Sequence, residues 1–293
     1  MKLKIYTKAI IYLIRRCNIY PLRFLQKKIP KHIIESNALL SNCLKNIQNE
    51  GITSLDISSL IPEEEISKLY AYAEDIREGP VKIQKKSFIK EYIGGNYDDG
   101  EKINLNEDDP FLNLALNPFF LFLIKSYFKH DFHLIDIQFS ETLSKNSNER
   151  KQSQRWHRDP AVRGLIKIFI YFSDVTKESG PFEYMLNTHN SMNLKPNKGP
   201  ITTKRFGGSY YPDQNKLNKD ILNKNLFKNT LLGPKGKIII ADTTGLHRGG
   251  FCEVGSRLML TMVYYPKGDP WGSRIRINKK NKNLSKFQKS FIP

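Results

Sequence analysis

The sequence has little cysteine and no long hydrophobic run, and each absence limits what the chain can be. Its 293 residues include only three cysteines, an odd number at widely spaced positions. This count argues against a disulfide scaffold and predicts a reducing, cytoplasmic location. Near the amino terminus the longest clean apolar run is residues 9–14, which is too short to span a bilayer and short for a signal peptide.

Acidic residues are absent from both ends of the chain, and this absence sets the charge pattern. Residues 1–31 hold nine Lys and Arg, residues 271–293 hold seven, and neither segment has an acid. Residues 32–270 hold 31 basic and 29 acidic side chains, so they carry only +2 of the total formal charge of +18. Nucleic-acid binding is therefore disfavoured, because phosphate binding needs basic density near the site.

These shifts in composition divide the chain into a basic segment (1–31), a single domain (32–270) and a basic tail (271–293). The first segment can form a basic amphipathic helix on an anionic membrane surface, which would make the protein peripheral at the inner face of a membrane. The alternative is a solvated basic face packed on the domain. Residues 187–226 are polar and long for a loop, which predicts an insertion or a lid at a site.

Helix signals come first along the chain and strand signals follow. Pro62 and three glutamates open a helix predicted over 62–78, and Asp109-Pro110 and Asn117-Pro118 each predict the start of another. The predicted strands are 133–143, 165–172, 180–186, 237–242 and 256–266. Strands without intervening helices predict an α+β fold with an antiparallel β core, which favours a jelly roll or barrel.

Two short motifs carry the chemistry. In QRWHRDP, His157 and Asp159 are two residues apart and project to the same side of an extended chain. His247 lies in TTGLHRGG, just after the strand 237–242. Two histidines and one carboxylate on one face of a metal leave positions open on the other, as in non-haem Fe(II) oxygenases. Arg257 begins the last strand, and its guanidinium suits the far carboxylate of a 2-oxo diacid.

Three stretches carry a family resemblance: QRWHRDP, IKIFIYFSDV with SGPFEYM, and DTTGLHRGG with SRLMLTMVYYP. Through them, residues 105–268 resemble the phytanoyl-CoA dioxygenase family of Fe(II)/2-oxoglutarate-dependent oxygenases. The resemblance implies a double-stranded β-helix, a cupin-like jelly roll with N-terminal helices packed on one sheet. It also implies that His157, Asp159 and His247 bind iron and that Arg257 binds the distal carboxylate of 2-oxoglutarate.

The resemblance further implies hydroxylation of a small metabolite with Fe(II), 2-oxoglutarate and O2, ascorbate as reductant in vitro, and release of succinate and CO2. Asp159 favours hydroxylation, because related halogenating enzymes lack the metal-binding carboxylate. One departure from the family is visible: its usual Pro-Gly turn after the GPF strand is replaced here by Leu186-Asn187-Thr188-His189. Neither the substrate nor the oligomeric state is predicted.

Lys167 and Gln138 are further candidates for binding the cosubstrate. Lys167 is the one charged residue of LIKIFIYF and alternates with Phe169 and Tyr171 on one face. It is predicted to contact the cosubstrate carboxylate or the substrate; the alternative is a lysine that extends to solvent from a strand end. Gln138 can hydrogen-bond the cosubstrate or be a packed amide.

Four other residues lie near the motifs. Two of them can have either a functional or a structural role, and two are predicted to be structural. Asp242 can orient a ligand or cap the turn that follows it. His189 can line a pocket or form a hydrogen bond within its turn. Trp156 and Cys252 are predicted to be buried core residues.

A second hypothesis keeps the fold and removes the catalysis. The chain would then be a non-catalytic jelly-roll module that binds a metal or a small ligand, in one version docked at an anionic membrane. The intact set of three ligand residues argues against it.

Overall fold

The structure is a computed structural model. It describes residues 37–80, 83–84, 89–94, 102–144, 150, 152–159, 164–189, 215, 226–267, 273–278 and 284–292. The predicted basic segment 1–31 and most of the predicted insertion 187–226 lie outside the described residues. Among the described residues, no helix is both long and apolar enough to cross a membrane.

The α-helices of the described ranges lie mainly before the central strands. They are α1 (Ala38–Glu50), α2 (Glu63–Glu78), α3 (Pro110–Ala115), α4 (Pro118–Phe128) and α5 (Lys286–Lys289). The predicted start signals of α3 and α4 are confirmed: Asp109 and Asn117 accept hydrogen bonds from backbone N–H groups of the first turn, and a proline follows each cap.

Helix α1 was not predicted, although its signals are ordinary ones. Asn37 accepts a hydrogen bond from the backbone N–H of Leu40, and Gly51 ends the helix at a φ of 84°. The buried face of the helix follows helical spacing and includes Leu40, Cys43 and Ile47. The strand after Gly51 then joins the edge of the main sheet.

Twelve strands are described. They are β1 (Ile52–Asp56), β2 (Ile83–Gln84), β3 (Ile89–Ile93), β4 (Ile103–Asn106), β5 (Phe132–Leu143), β6 (Ile166–Tyr171), β7 (Phe182–Met185), β8 (Lys228–Leu231), β9 (Lys237–Asp242), β10 (His247–Gly249), β11 (Ser256–Pro266) and β12 (Ile275–Asn278). All five predicted strands are present, as β5, β6, β7, β9 and β11.

The strands form two antiparallel sheets and one parallel pair. The large sheet has the order β1-β9-β6-β11-β5-β3-β2, and the small sheet has the order β10-β7-β8. Strand β12 pairs with β4 in parallel. The fold is therefore a mixture of helices and mainly antiparallel sheet, consistent with a jelly-roll core.

Both faces of the large sheet are buried. The side chains of β6 alternate between the two cores that cover these faces. Ile166, Ile168 and Ile170 pack in the large core that also contains α3 and α4 residues. Phe169 and Tyr171 point the other way and pack with side chains of the small sheet. The helices therefore cover one face, and the small sheet covers the other. The face toward the small sheet, here called the inner face, is the one that reaches the candidate site.

The C-terminal residues pack on the domain. Ile275 in β12 and Phe291 after α5 belong to the large core. The Phe291 ring lies 4.6 Å from the ring of Phe132, and its carbonyl accepts a hydrogen bond from the backbone N–H of Leu134. The charge of the sequence predicted a basic tail over 271–293, because basic residues there outnumber the few apolar residues that anchor the segment.

Replacing Phe291 with alanine should therefore lower the free energy of unfolding by about 3 kcal/mol, because a buried ring leaves a cavity. Urea unfolding followed by circular dichroism measures this. Phe227→Ala is the control: that ring is 74% exposed, so the change should stay within about 0.5 kcal/mol. Equal effects of the two substitutions would contradict the packing of the C-terminal segment.

Candidate metal centre

A backbone bridge joins the two motifs that carry the predicted ligands. The N–H of His157 donates to the carbonyl of His247 at 3.0 Å, and the N–H of His247 donates back at 3.0 Å. The N–H of Asp159 donates to the carbonyl of Thr243 at 2.9 Å. Residues ninety positions apart in sequence are thus held side by side by main-chain hydrogen bonds.

The bridge brings the three predicted metal ligands into one cluster. Donor atoms of His157, Asp159 and His247 all lie within 4.8 Å of one another, and all three residues are buried. The two imidazole rings are 4.2 Å apart between centroids, and His247 Nε2 lies 3.6 Å from Asp159 Oδ2. The structure brings together the ligand set that the sequence predicts.

Both imidazoles are oriented by main-chain carbonyls. His157 Nδ1 lies 2.8 Å from the carbonyl oxygen of Arg155, and His247 Nδ1 lies 3.0 Å from that of Gly245. Because a carbonyl oxygen only accepts, each Nδ1 carries the proton and each lone pair is on Nε2. This is the arrangement by which proteins fix histidine ligands of metals.

Burial and neighbouring charges set the protonation states of the cluster. Burial lowers the pKa of His247 to about 3 and also lowers the pKa of His157. Burial alone would raise the pKa of Asp159, but the Lys167 ammonium and the two histidines outweigh it and hold that pKa well below its usual range. At neutral pH the cluster therefore offers two neutral imidazoles and one carboxylate, the donor set that a divalent transition metal takes.

Lys167 forms an ion pair inside this cluster. Its Nζ lies 2.6 Å from Asp159 Oδ2, and its side chain is 23% exposed against 7% for the aspartate. The strand pairing places Val263 and Ala241 on either side of Lys167. Lys167 therefore belongs to the site, as a partner of the predicted metal ligand.

Arg257 is buried next to Gly249 of β10, the strand that begins at His247, and has no acidic partner among the described residues. Its Nη1 donates to the carbonyl of Gly180, and its Nη2 is 3.4 Å from Thr142 Oγ1. Within the described ranges, its Nε has no hydrogen-bond partner and no carboxylate pairs with its guanidinium. Burial lowers the pKa of this guanidinium. An unpaired buried cation is costly, so this position favours an anionic ligand.

Gln138 lies on the inner face of β5. Its Nε2 donates to Asp136 Oδ2 at 2.6 Å, and Arg274 Nη1 donates to the same oxygen at 3.0 Å. This amide is therefore engaged with a buried carboxylate. Its predicted contact with a cosubstrate stays a prediction.

Arg158 ties the ligand-bearing segment to two turns. Its Nη1 donates to the carbonyls of Thr188 at 2.9 Å and of Thr244 at 2.5 Å. The turn that lacks Pro-Gly is closed in another way: Asn187 has a φ of 60°, and Thr188 Oγ1 accepts the backbone N–H of Leu246 at 2.8 Å. These contacts hold the turn beside the segment that carries His157 and Asp159.

The other four candidate residues form hydrogen bonds at turns and helix ends or lie buried in the protein. Asp242 caps its turn through the backbone N–H of Thr244 at 2.9 Å and accepts from the Tyr127 hydroxyl at 2.6 Å. His189 Nε2 lies 3.2 Å from the carbonyl of Gln48, at the end of α1. Trp156 and Cys252 are buried, as predicted.

Sequence reasoning missed the roles of Arg158 and Gly180. Arg158 is inside the motif QRWHRDP, but nothing in the sequence indicates which carbonyls it reaches. Gly180 has a φ of 79°, and a Cβ there would lie 2.9 Å from the carbonyl oxygen of Gly250. Gly180 is the first residue of the predicted strand 180–186, but its contact with Arg257 depends on tertiary structure.

Comparison with known proteins finds similar folds but no relative by sequence. No family model matches the chain, and no curated protein matches it by sequence. The fold is similar to that of the epimerase SnoN from nogalamycin biosynthesis in complex with Fe3+, alpha ketoglutarate and nogalamycin RO. That similarity has a TM-score of 0.57 at 13% identity and covers 78% of this chain and 84% of SnoN.

Two other solved structures are similar in the same way. The non-heme alpha ketoglutarate dependent carbocyclase SnoK, also from nogalamycin biosynthesis, has a TM-score of 0.51 at 12% identity over 76% of this chain and 82% of its own. HygX from Streptomyces hygroscopicus, with nickel and 2-oxoglutarate bound, has a TM-score of 0.50 at 11% identity over 78% of this chain and 87% of its own. The chain thus has the fold of 2-oxoglutarate-dependent non-haem enzymes.

Arg158→Ala should loosen the segment that carries His157 and Asp159, because two charge-assisted hydrogen bonds to turns are lost. We expect a loss of about 2 kcal/mol in unfolding free energy and about tenfold weaker metal binding. Urea unfolding and metal titration measure the two effects. Arg276→Ala, on an exposed side chain of β12, is the matched control. Metal affinity equal to that of the control would rule out the positioning role of Arg158.

Proposed function

We propose that this protein is an Fe(II)- and 2-oxoglutarate-dependent dioxygenase that hydroxylates a small molecule. The observation that carries the proposal is the buried cluster of His157, Asp159 and His247, in which a main-chain carbonyl engages each imidazole at Nδ1 and leaves Nε2 as the donor atom for a metal. The similar folds that are solved with iron, nickel and 2-oxoglutarate bound support it. Membership of the phytanoyl-CoA dioxygenase family is part of the proposal, carried by the motifs of the sequence.

The chain's own residues have distinct tasks in this proposal. Bound Fe(II) and 2-oxoglutarate would supply, with O2, the oxidising power, and succinate and CO2 would leave. His157 and His247 bind the metal as neutral imidazoles whose rings are already fixed, so little ordering is needed when the metal enters. Asp159 supplies one negative charge. These three residues would hold the metal and leave its remaining positions for the cosubstrate and O2.

Arg257 is the proposed partner of the distal carboxylate of 2-oxoglutarate. Its guanidinium is buried, has an N–H without a partner among the described residues, and is near the β10 strand that carries His247. A carboxylate would satisfy that donor and neutralise the charge in one step. The binding energy of the cosubstrate would then come largely from a charge pair formed away from water.

The proposed fold is a double-stranded β-helix whose two halves are the large and the small sheet. Packing between Phe169 and Tyr171 of β6 and Phe182 and Tyr184 of β7 supports this arrangement. The site lies between the sheets, which would exclude water from the reacting centre. The basic segment 1–31 is outside the described residues, so its membrane contact and the cytoplasmic location stay predictions.

Hydroxylation is proposed over other outcomes of the same oxidising chemistry. Asp159 fills the metal's carboxylate position, which disfavours halogenation. The epimerase SnoN and the carbocyclase SnoK have similar folds, so product analysis has to distinguish an added oxygen atom from an inverted centre or a new ring. SnoN in complex with nogalamycin RO and HygX with hygromycin B bound favour a small-molecule substrate.

Binding of 2-oxoglutarate should depend on the metal and on Arg257. We expect wild-type protein loaded with Ni(II) to bind 2-oxoglutarate, and Arg257→Met to weaken that binding about 100-fold, since a buried charge pair is lost. Ni(II) affinity itself should stay unchanged in this variant. Isothermal titration calorimetry measures both constants.

His157→Ala is the metal-site control and should abolish Ni(II) binding. Lys228→Met, which removes a lysine outside the site, should leave both constants unchanged. Wild-type protein that binds Ni(II) but not 2-oxoglutarate would overturn the proposal in favour of the non-catalytic binding module.

A further inference from the structure

The Lys167 ammonium lies beside an Asp159 oxygen that is also close to His247. Its Nζ is 2.6 Å from Asp159 Oδ2, and His247 Nε2 is 3.6 Å from that same oxygen. A metal bound by His247 and Asp159 would occupy the space near this oxygen. Lys167 and the metal therefore compete for one carboxylate atom.

Lys167 is also the cation that balances the charge of Asp159. The aspartate side chain is 7% exposed, and an isolated carboxylate at such a depth would be strongly disfavoured. Among the described residues, no other Lys or Arg is within ion-pair distance of Asp159.

A divalent ion at the three ligands would lie within a few ångströms of the lysine in its present position. Two cations at such a separation repel strongly inside a protein, where the effective dielectric constant is far below that of water. The lysine has room to move: its in-register neighbours on the inner face are Ala241 and Val263, and its side chain is 23% exposed. Its flexible four-carbon stem permits a swing away from the metal.

We propose that Lys167 is an internal counter-cation that the metal displaces from Asp159, so that it weakens metal binding until an anionic ligand joins the metal. This inference rests on the proposed function, because it assumes that the cluster binds a metal. It assigns to Lys167 a role that differs from a fixed contact with the cosubstrate.

The displaced ammonium makes binding of metal and anion cooperative. Lys167 is engaged with Asp159, and a metal that takes this carboxylate would leave the ammonium nearby with its charge uncompensated. A carboxylate that binds there, such as that of 2-oxoglutarate, recovers the lost ion pair. By thermodynamic linkage, the anion must then tighten metal binding by the same factor as the metal tightens anion binding.

Ni(II) titration of three variants tests this inference without any turnover. Removing the competing charge in Lys167→Met should make Ni(II) binding about tenfold tighter than in wild type. Lys167→Arg keeps the charge and should stay within about twofold of wild type. Lys228→Met removes a lysine paired with the buried Glu183, outside the site, and should match wild type.

Two further measurements separate this role from a merely structural one. Metal-free Lys167→Met should melt at a lower temperature than wild type, because Asp159 loses its partner, and Ni(II) should raise its melting temperature by more than it does in wild type. Saturating 2-oxoglutarate should tighten Ni(II) binding in wild type, and by a clearly smaller factor in Lys167→Met.

Weaker or unchanged Ni(II) binding in Lys167→Met, with wild type binding normally, would overturn the inference and leave the proposed function intact. Should Lys167→Met fail to fold, Lys167→Gln takes its place with the same expected direction. Failure of wild type itself to bind Ni(II) would overturn the proposed function and this inference together.

Discussion

The pair of main-chain hydrogen bonds between His157 and His247 is the constraint on which the site depends. It joins a loop before β6 to the strand β10 of the small sheet, and so fixes the separation of the two imidazoles. Main-chain bonds suit this task because they do not depend on side-chain rotamers. The carbonyls of Arg155 and Gly245 then set the direction of each ring. Ligand geometry is therefore a property of the backbone.

Around this bridge the protein buries charges that its own side chains balance only in part. Asp159 has one ammonium partner in Lys167, and Arg257 has no acidic partner among the described residues. Burying unbalanced charge costs stability, so its presence in an otherwise close-packed interior marks a place that is adapted to ligands. A divalent cation would pair with Asp159, and a dicarboxylate would bring one carboxylate to the metal and the other to Arg257. The same electrostatics explains the proposed coupling between metal and anion.

Much of this could be predicted from sequence, and the physical reasons are specific. Capped helices such as Pro118–Phe128 and the long apolar strand Ser256–Pro266 follow local rules of propensity and periodicity. The proposed metal ligands His157, Asp159 and His247 were predicted from residue chemistry combined with a family resemblance. The ion pair of Lys167 with Asp159, in contrast, depends on strand register and on a loop that returns to the sheet. Such contacts are set by tertiary structure and leave no local pattern.

Formation of succinate tests the central claim most directly. Purified protein would be incubated with Fe(II), ascorbate, O2 and 2-oxoglutarate, in the presence of a panel of small molecules, and succinate would be quantified against His157→Ala. The account predicts succinate that requires Fe(II), exceeds the background of the variant, and increases with at least one small molecule. Equal succinate from wild type and His157→Ala under all these conditions would contradict it.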